Sequence, residues 1–444
     1  MAAARKRCSS SSSSAEEDAT NLCDGEREHP YASMLCCHSV QDSLLSSNSS
    51  FTRYRGILNW IIIMLVLTHA HLFLANFIQH GFLIDVRKVL GHLMEDNCTW
   101  PSVVLILGAN VFALVALLLE RSQEKGILSI ASGQRLHLTN LGFLVLFPAA
   151  VIVHEPTIST GGAFFSLWFY TVLGMKLYSY QETNRWYRLV HPEKEEDGSV
   201  TQKHHEETIR DLYYFILAPT LCYQRDFPRT PRVRISKLLH RLLEMVVVFQ
   251  IIVAIVQQWM EPIFQRSETS FSDMDVSVRL EQLLSLLAPS HFLCLLLFFL
   301  SHSFLNLCAE LLRFGDRHFY GDWWNATTLV ALWRSWNVPF QRWSRRHVYS
   351  QLVDRNVPPS RAELLLFLVT TALCEVLVSL PLRSFRLWIV LTMLLELSVA
   401  VFLGDYFQGN YGNGLVWLCL LLGPPLAVTT YFHDHYHQHR RPHR

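Results

Sequence analysis

Charge is scarce in this chain: 17% of 444 residues are charged, and 38 basic against 37 acidic side chains leave a formal charge of +1. Net charge therefore gives no electrostatic case for nucleic-acid binding. The ten cysteines (Cys8, Cys23, Cys36, Cys37, Cys98, Cys222, Cys294, Cys308, Cys374 and Cys419) contain no Cys-x-x-Cys pair and no metal-ligand spacing, which argues against a disulfide framework and against a metal centre. A glycine-rich phosphate loop and a nucleophilic serine elbow are also missing, so P-loop and α/β-hydrolase chemistry are not expected. No apolar run precedes Ile57, so the first spanning helix, rather than a cleaved leader, is expected to direct insertion. Neither a terminal retrieval tetrapeptide nor a prenylation box is seen.

What is present is apolar surface, at 50% of the residues, arranged in blocks. Residues 1–50 stand apart: Arg5, Lys6 and Arg7, the run Ser9 to Ser14, and Glu16, Glu17 and Asp18 cannot bury a core, and predict a disordered tail. From Ile57 the apolar stretches reach about 20 residues, the length a helix needs to cross a ~30 Å hydrocarbon layer. They predict helices over 57–79, 101–119, 139–154, 160–178, 241–259, 284–309, 362–381, 387–404 and 414–432, with Pro148, Gly161 and Gly162 interrupting the third and fourth. The expected fold is an all-α polytopic membrane protein of about nine spans occupying residues 51–432, followed by a polar His- and Arg-rich tail over 433–444.

Basic residues in loops favour the cytosolic side. Arg53, Arg55, Arg121, Lys125 and Arg135, the long segment from Lys176 to Arg241, and the arginines between Arg313 and Arg361 place the N-terminus and the two large loops in the cytosol. Arg440, Arg441 and Arg444 would then be lumenal, against the rule. In this topology Asn97-Cys98-Thr99 is a lumenal sequon, whereas Asn48-Ser49-Ser50 and Asn325-Ala326-Thr327 match only by chance. His69 and His71 lie two residues apart and cannot share a helix face, and the histidines from His433 to His443 suit a charged tail better than a metal site.

Between Glu310 and Arg361, Phe314, Phe319, Tyr320, Trp323, Trp324, Trp333, Trp336, Phe340 and Trp343 alternate with arginines. That mixture suits a helix at the membrane interface, with rings at headgroup depth and guanidinium groups in water. Its sequence carries more than composition. Phe319-Tyr320-Gly321-Asp322-Trp323-Trp324-Asn325, Trp336-Asn337-Val338-Pro339 and Arg346-His347-Val348-Tyr349 resemble the signature of membrane-bound O-acyltransferases, in the sterol and diacylglycerol acyltransferase branch. The animal diacylglycerol acyltransferases are the nearer likeness. Gln41 to Leu44, Tyr54 to Trp60, Asp211 to Phe215, Ala218 to Tyr223, Gln257 to Met260 and Phe407 to Asn413 resemble that branch in the same order, over about residues 40 to 432.

The resemblance implies a multi-pass endoplasmic-reticulum enzyme, N-terminus cytosolic, that moves a fatty acyl group from acyl-CoA to diacylglycerol in an intramembrane tunnel, with no cofactor beyond the acyl-CoA substrate. It implies roles in acyl-CoA binding for Tyr320, Asp322, Trp323, Trp324, Asn325, Tyr214, Tyr223, Trp336, Asn337 and His347, and a part for Asn325 in catalysis. A polyanionic coenzyme also asks for a basic rim, for which Arg229, Arg232, Arg234, Arg345, Arg346 and His347 are candidates. Dimers through the segment before the first helix are implied as well, with membrane lipid as surroundings.

The family's catalytic histidine precedes a glutamate in a stretch similar to Cys374-Glu375-Val376-Leu377-Val378-Ser379-Leu380-Pro381-Leu382-Arg383, so Cys374 stands at the catalytic position. A neutral histidine accepts the acceptor's hydroxyl proton as its oxygen attacks the thioester; such a base is worth about 10²–10⁴ in rate. A thiol with a reference pKa of about 8.5 accepts it poorly. Three outcomes stay open: Cys374 takes the acyl group itself with Glu375 as base; Glu375, Glu396 or His302 removes the proton; or the chain is a catalytically impaired paralogue acting as a lipid-binding or dimer partner. Glu375 and Glu396 also suit paired structural groups.

Overall fold

A computed structural model of the chain describes residues 74, 77–79, 81, 83, 85, 99–155, 157–190, 208–267 and 274–440. The expected tail over 1–50, most of the first span 57–79, the segment Gln41 to Trp60, His69 and His71, and the sequons at Asn48 and Asn97 lie outside the described residues. Among those described there is no strand, only an isolated antiparallel bridge between Arg229 and Phe314.

Three helices open the described bundle: α1 (Thr99–Glu124), α2 (Ile130–His154) and α3 (Thr160–Val190) pack against one another. Pro148 does not break α2, which runs through it and buries it. Gly162 lies in the first turn of α3, where an added Cβ would come within 2.8 Å of Ser102 Oγ on α1. The bare backbone is what lets the two helices approach there.

α3 departs from expectation by continuing to Val190 instead of ending near 178. Its second half buries Lys176, Ser179, Gln181, Glu182, Thr183 and Asn184, so residues read as the start of a cytosolic loop are protein interior. Lys176 Nζ donates to the carbonyls of Phe215, Ile216 and Ala218 at 2.9, 2.8 and 2.6 Å. These belong to the C-terminal end of α4 (Ile209–Leu217), whose last carbonyls have no helical partner.

α5 (Ile235–Ala254) passes through a π turn, Ile255–Met260, into α6 (Glu261–Arg266). The wide turn carries two buried glutamines that grip the backbone of Gly81, Leu83 and Asp85. Gln257 accepts from Asp85 N at 2.9 Å, and Gln258 accepts from Leu83 N at 3.1 Å while donating to Gly81 O at 3.1 Å. A π insertion costs helix regularity; here it accompanies hydrogen bonds that a strand partner would otherwise supply.

The longest helix, α7 (Val276–Leu311), contacts α5, α6 and two later helices. After it come a 3₁₀ turn (Trp323–Asn325), α8 (Leu329–Trp336), α9 (Val338–Ser344), a π turn (Arg345–Tyr349) and α10 (Ser350–Asp354). Instead of one interfacial helix, this segment is a string of short ones docked on the bundle, with Trp323, Leu329, Leu332 and His347 buried. The bundle closes with α11 (Pro359–Ser379), α12 (Trp388–Phe402), α13 (Gly409–Leu422) and α14 (Pro424–Arg440).

Six stretches among the described residues are long and apolar enough to span a membrane: Pro101–Glu124, Ile130–His154, Ile235–Arg266, Val276–Leu311, Pro359–Ser379 and Gly409–His437. α12 is apolar but only 15 residues long, and the charged half of α3 keeps it outside this set. The protein is thus an all-α, multi-pass membrane protein. The expected polar tail is also revised, because α14 runs to Arg440 and buries His433, Asp434 and His437.

Gly412 and Asn413 fix the 3₁₀ turn to α13. Asn413 Nδ2 donates to the carbonyls of Trp324 and Ala326 at 3.0 and 2.8 Å. A Cβ on Gly412 would lie 2.3 Å from Thr327 O, whereas one on Gly414 meets nothing within 4 Å. Gly412→Ala is expected to destabilise the protein by about 1–3 kcal/mol, the usual cost of overpacking, while Gly414→Ala does not. Apparent thermal midpoints in detergent at one scan rate check this, and equal midpoints for the two variants would sink it.

Candidate functional site

The signature residues gather from three elements. Phe319 O accepts from Val338 N at 3.0 Å and Gly321 N donates to Ser335 O at 2.8 Å, which brings Phe319-Tyr320-Gly321 alongside Trp336-Asn337. Trp323 then packs on Trp336 with ring centroids 4.5 Å apart, and Phe298 of α7 meets Tyr320, Trp323 and Trp336 at 5.0, 5.1 and 5.2 Å. Asp322, Trp324, Asn325 and Asn337 stay exposed around this aromatic core. Asn337 caps α9 by accepting from Phe340 N at 3.2 Å.

The Tyr320 hydroxyl lies 2.6 Å from His302 Nδ1. Arg241 Nη1 sits 3.0 Å from His302 Nε2 and can only donate, so that nitrogen is the acceptor and the Nδ1 proton faces Tyr320. Arg241 is itself paired with Glu244 at 2.6 Å. His302 therefore has both nitrogens engaged, which is a poor starting point for proton removal.

Tyr214 and Tyr223 occupy a second aromatic group. Tyr223 is buried against Tyr180 and Phe215, while Tyr214 packs on Phe227 at 5.7 Å. Phe227 reaches Phe314, and one buried cluster joins Ala218, Phe314 and Phe319 with Tyr214 and Tyr320 at its edge. The Tyr-Tyr-Phe and aromatic-turn motifs, about 100 residues apart in sequence, are thus neighbours.

His347 is not part of a cationic rim. Its side chain is 1% exposed, stacks on Trp186 at 5.4 Å and places Nε2 2.8 Å from Ser179 Oγ. Nδ1 is buried with no hydrogen-bond partner, so a second proton would be an unpaired cation in the interior. Burial, reinforced by the neighbouring Arg346, pushes His347 down to about 4. Arg346 is likewise structural, donating to Tyr223 O at 3.1 Å and Thr183 Oγ1 at 3.3 Å.

Cys374 and Glu375 lie elsewhere, on α11 facing α12 and α14. Cys374 packs beside Val378, Leu382, Ile389, Ala427 and Tyr431 and has no hydrogen-bond partner among the described residues. Glu375 is 4% exposed, and its two oxygens are both occupied. Oε2 accepts from Ile389 N and Val390 N at 3.1 and 3.2 Å, in the first turn of α12, and Oε1 accepts from the Tyr431 hydroxyl. The expectation that Glu375 serves Cys374 as a base meets a carboxylate committed to capping a helix. Further along the motif, Arg383 Nη2 donates to Ile152 O and Glu155 O at 3.1 and 3.0 Å, closing the C-terminal end of α2.

Glu396 of α12 lies between the two regions. Trp333 lies beside its carboxylate and packs tilted against Phe367 of α11 at 4.7 Å, and a Cβ on Gly423 would fall 2.1 Å from Glu396 Oε1. Tyr431 and Trp333 are the two partners that sequence reasoning missed. Nothing in their local sequence distinguishes them from membrane-interface aromatics.

Comparison with known proteins agrees with the signature. The sequence profile of the membrane-bound O-acyltransferase family matches residues 128–433. The chain is 44% identical over 412 residues to diacylglycerol O-acyltransferase 1 of Homo sapiens, covering 90% of this chain and 84% of that protein. It is 31% identical over 408 residues to diacylglycerol O-acyltransferase 1C of Glycine max, covering 89% of this chain and 78% of that protein.

Two outcomes are expected from this geometry. Replacing Glu375 with Leu orphans the two α12 amides and the Tyr431 hydroxyl, at about 1–3 kcal/mol for each unsatisfied buried group, and should lower the thermal midpoint more than Cys374→Ala does; a smaller loss refutes the capping role. For His347 the folded value lies below the unfolded one, so the unfolded chain takes up its proton first as pH falls. Stability is full above about pH 6.5 and declines toward pH 4, by about 3 kcal/mol. Comparing midpoints of wild type and His347→Gln across that window tests this, since the variant should lack that component.

Proposed function

The chain belongs to the membrane-bound O-acyltransferase family, and on that premise we propose that it transfers a fatty acyl group from acyl-CoA to the free hydroxyl of diacylglycerol, making triacylglycerol in the endoplasmic-reticulum membrane. The observation that carries this is that the aromatic turn Phe319 to Asn325 and the Tyr214 segment, far apart in sequence, meet in one cluster, with the α11 motif packed separately against α12 and α14 in the same bundle. An exposed polar edge (Asp322, Asn325, Asn337) beside an aromatic floor suits a donor with a polar head and an apolar acyl chain. The N-terminus is cytosolic on the positive-inside count, and dimers form through the segment before the first span.

In the reaction the acceptor oxygen attacks the thioester carbonyl, its proton passes to a base, and the carbon–sulfur bond breaks to release coenzyme A. The thioester supplies the activation, so no cofactor is required. The position that the resemblance gives to the base holds Cys374, with Glu375, Glu396 and His302 as the other candidates. Cys374 sits in apolar surroundings without a polar partner, and Glu375 and His302 are both engaged. These surroundings favour a second reading in which the chain binds its substrates but turns them over slowly, serving as a lipid-binding or dimer partner.

Triacylglycerol synthesis from labelled oleoyl-CoA and diacylglycerol, in membranes free of other acyltransferases, separates the two. Under the impaired reading Cys374→His raises the rate by about 10²–10⁴, and Cys374→Ala resembles wild type. Wild-type activity lost in Cys374→Ala, together with a hydroxylamine-sensitive acyl-enzyme, would overturn that reading in favour of a cysteine that carries the acyl group.

A further inference from the structure

The structure sorts the arginines around the aromatic turn into two kinds. Arg234 and Arg317 share the carboxylate of Glu310 at 2.9 and 2.6 Å, Arg342 pairs with Asp316, and Arg346 is tied to backbone and Thr183. Arg210, Arg229 and Arg313 differ: none forms an ion pair with a described carboxylate, yet all three line one cavity of about 380 Å³ together with Asp211, Tyr213 and Tyr214. Asp211 is the one acidic group there, and it accepts a hydrogen bond from Thr208 at the start of α4. The lining keeps a formal surplus of positive charge.

Two of the three, Arg229 and Arg313, are also held in place, and Arg210 is an exposed side chain at the rim. Thr230 N donates to Arg313 O and Gly315 N donates to Pro228 O, both at 2.8 Å, so the two loops run side by side with Arg229 bridged to Phe314. Arg229 lies over the Tyr214 ring at 4.5 Å, and Arg313 Nε donates to Thr230 O at 2.8 Å, leaving its terminal nitrogens for another partner. Arg313 itself adopts φ +57°, a left-handed conformation that a non-glycine residue takes only when its surroundings fix it. Leu217 and Leu311, each 61% exposed, complete the lining with Leu312.

Fixed guanidinium groups without carboxylate partners recognise phosphate, and the exposed leucines suit an adjoining hydrocarbon chain. We propose that this cavity binds the phosphate of an acyl-bearing anion. Two sources share that chemistry: a phosphate of acyl-CoA, which rests on the proposed function, and the headgroup of an anionic phospholipid, which does not. The site is separate from Cys374 and Glu375, so occupancy does not depend on turnover.

The test uses the full chain and direct binding. Oleoyl-CoA is titrated onto the detergent-purified protein, and phospholipid retention is read by native mass spectrometry from phosphatidylcholine nanodiscs with and without phosphatidylglycerol. Arg210→Gln with Arg229→Gln should weaken one of the two by about tenfold or more, while Lys237→Gln, an exposed cation in the first turn of α5 outside the cavity lining, leaves both unchanged. The ligand that is lost names the source. Arg210→Gln alone, an exposed side chain with no described hydrogen bond, gives a smaller loss of the same kind if the double variant folds poorly. Undiminished affinity for both ligands, or no binding of either by wild type, overturns the proposal. Absent triacylglycerol synthesis with intact binding would instead count against the proposed reaction alone.

Discussion

The arrangement around residue 374 depends on one buried carboxylate. Glu375 is removed from water on a helix that spans apolar surroundings, where an unpaired charge is untenable. It is tolerated because it meets the exposed amides at the start of α12 and the hydroxyl of Tyr431 from α14. Three helices are thereby tied at one point. The same Tyr431 oxygen accepts from Arg386 N and Trp388 N at 3.1 and 3.3 Å, so the loop entering α12 is fixed as well. Eight residues beyond Glu375, Arg383 does the complementary task at the far end of α2. The stretch that names the family in the sequence is, in the fold, largely a device for closing helix ends where water cannot do so.

That constraint organises the remaining polar groups. Lys176 saturates the end of α4, Gln257 and Gln258 pair with backbone, and Arg234, Arg317 and Arg346 bind carboxylate or carbonyl partners. Each could pass in sequence for a cytosolic charge or a coenzyme contact. Once these are assigned to structure, few ionisable groups near the aromatic turn remain uncommitted. Arg210, Arg229 and Arg313 are among them, and they share a cavity.

Most of the helical architecture was legible because apolar runs of spanning length report directly on contact with lipid. The middle of the bundle, 101–119, 241–259 and 284–309, falls within observed helices, and 362–381 overruns its helix by two residues. Three misreadings share a cause. The second half of α3, the docked segment after α7 and the end of α14 are polar or mixed in sequence yet buried against protein, and hydropathy cannot separate polar groups that face water from polar groups that face each other. His347 shows this most clearly: its neighbours Arg345 and Arg346 make it look like part of a basic rim, whereas Ser179 and Trp186, about 160 residues earlier in the chain, make it a core residue. The site motifs were legible as a set, but their partners Tyr431 and Trp333 were not, because a single aromatic residue carries no periodic signal.

The cysteine at 374 shows why fold and chemistry can separate at this position. Glu375 takes two amides of α12 and the Tyr431 hydroxyl, while Cys374 packs in a cluster of hydrophobic side chains that includes Trp388, whose indole N–H is buried without a hydrogen-bond partner. A thiol fits the same cavity without leaving a polar group unpaired, so the exchange costs the bundle little. On the proposed function the cost falls on proton acceptance, the property that the family's histidine would supply at this position. With Glu375 holding the start of α12 and Tyr431 of α14, the packing of these three helices does not rest on a hydrogen bond from residue 374.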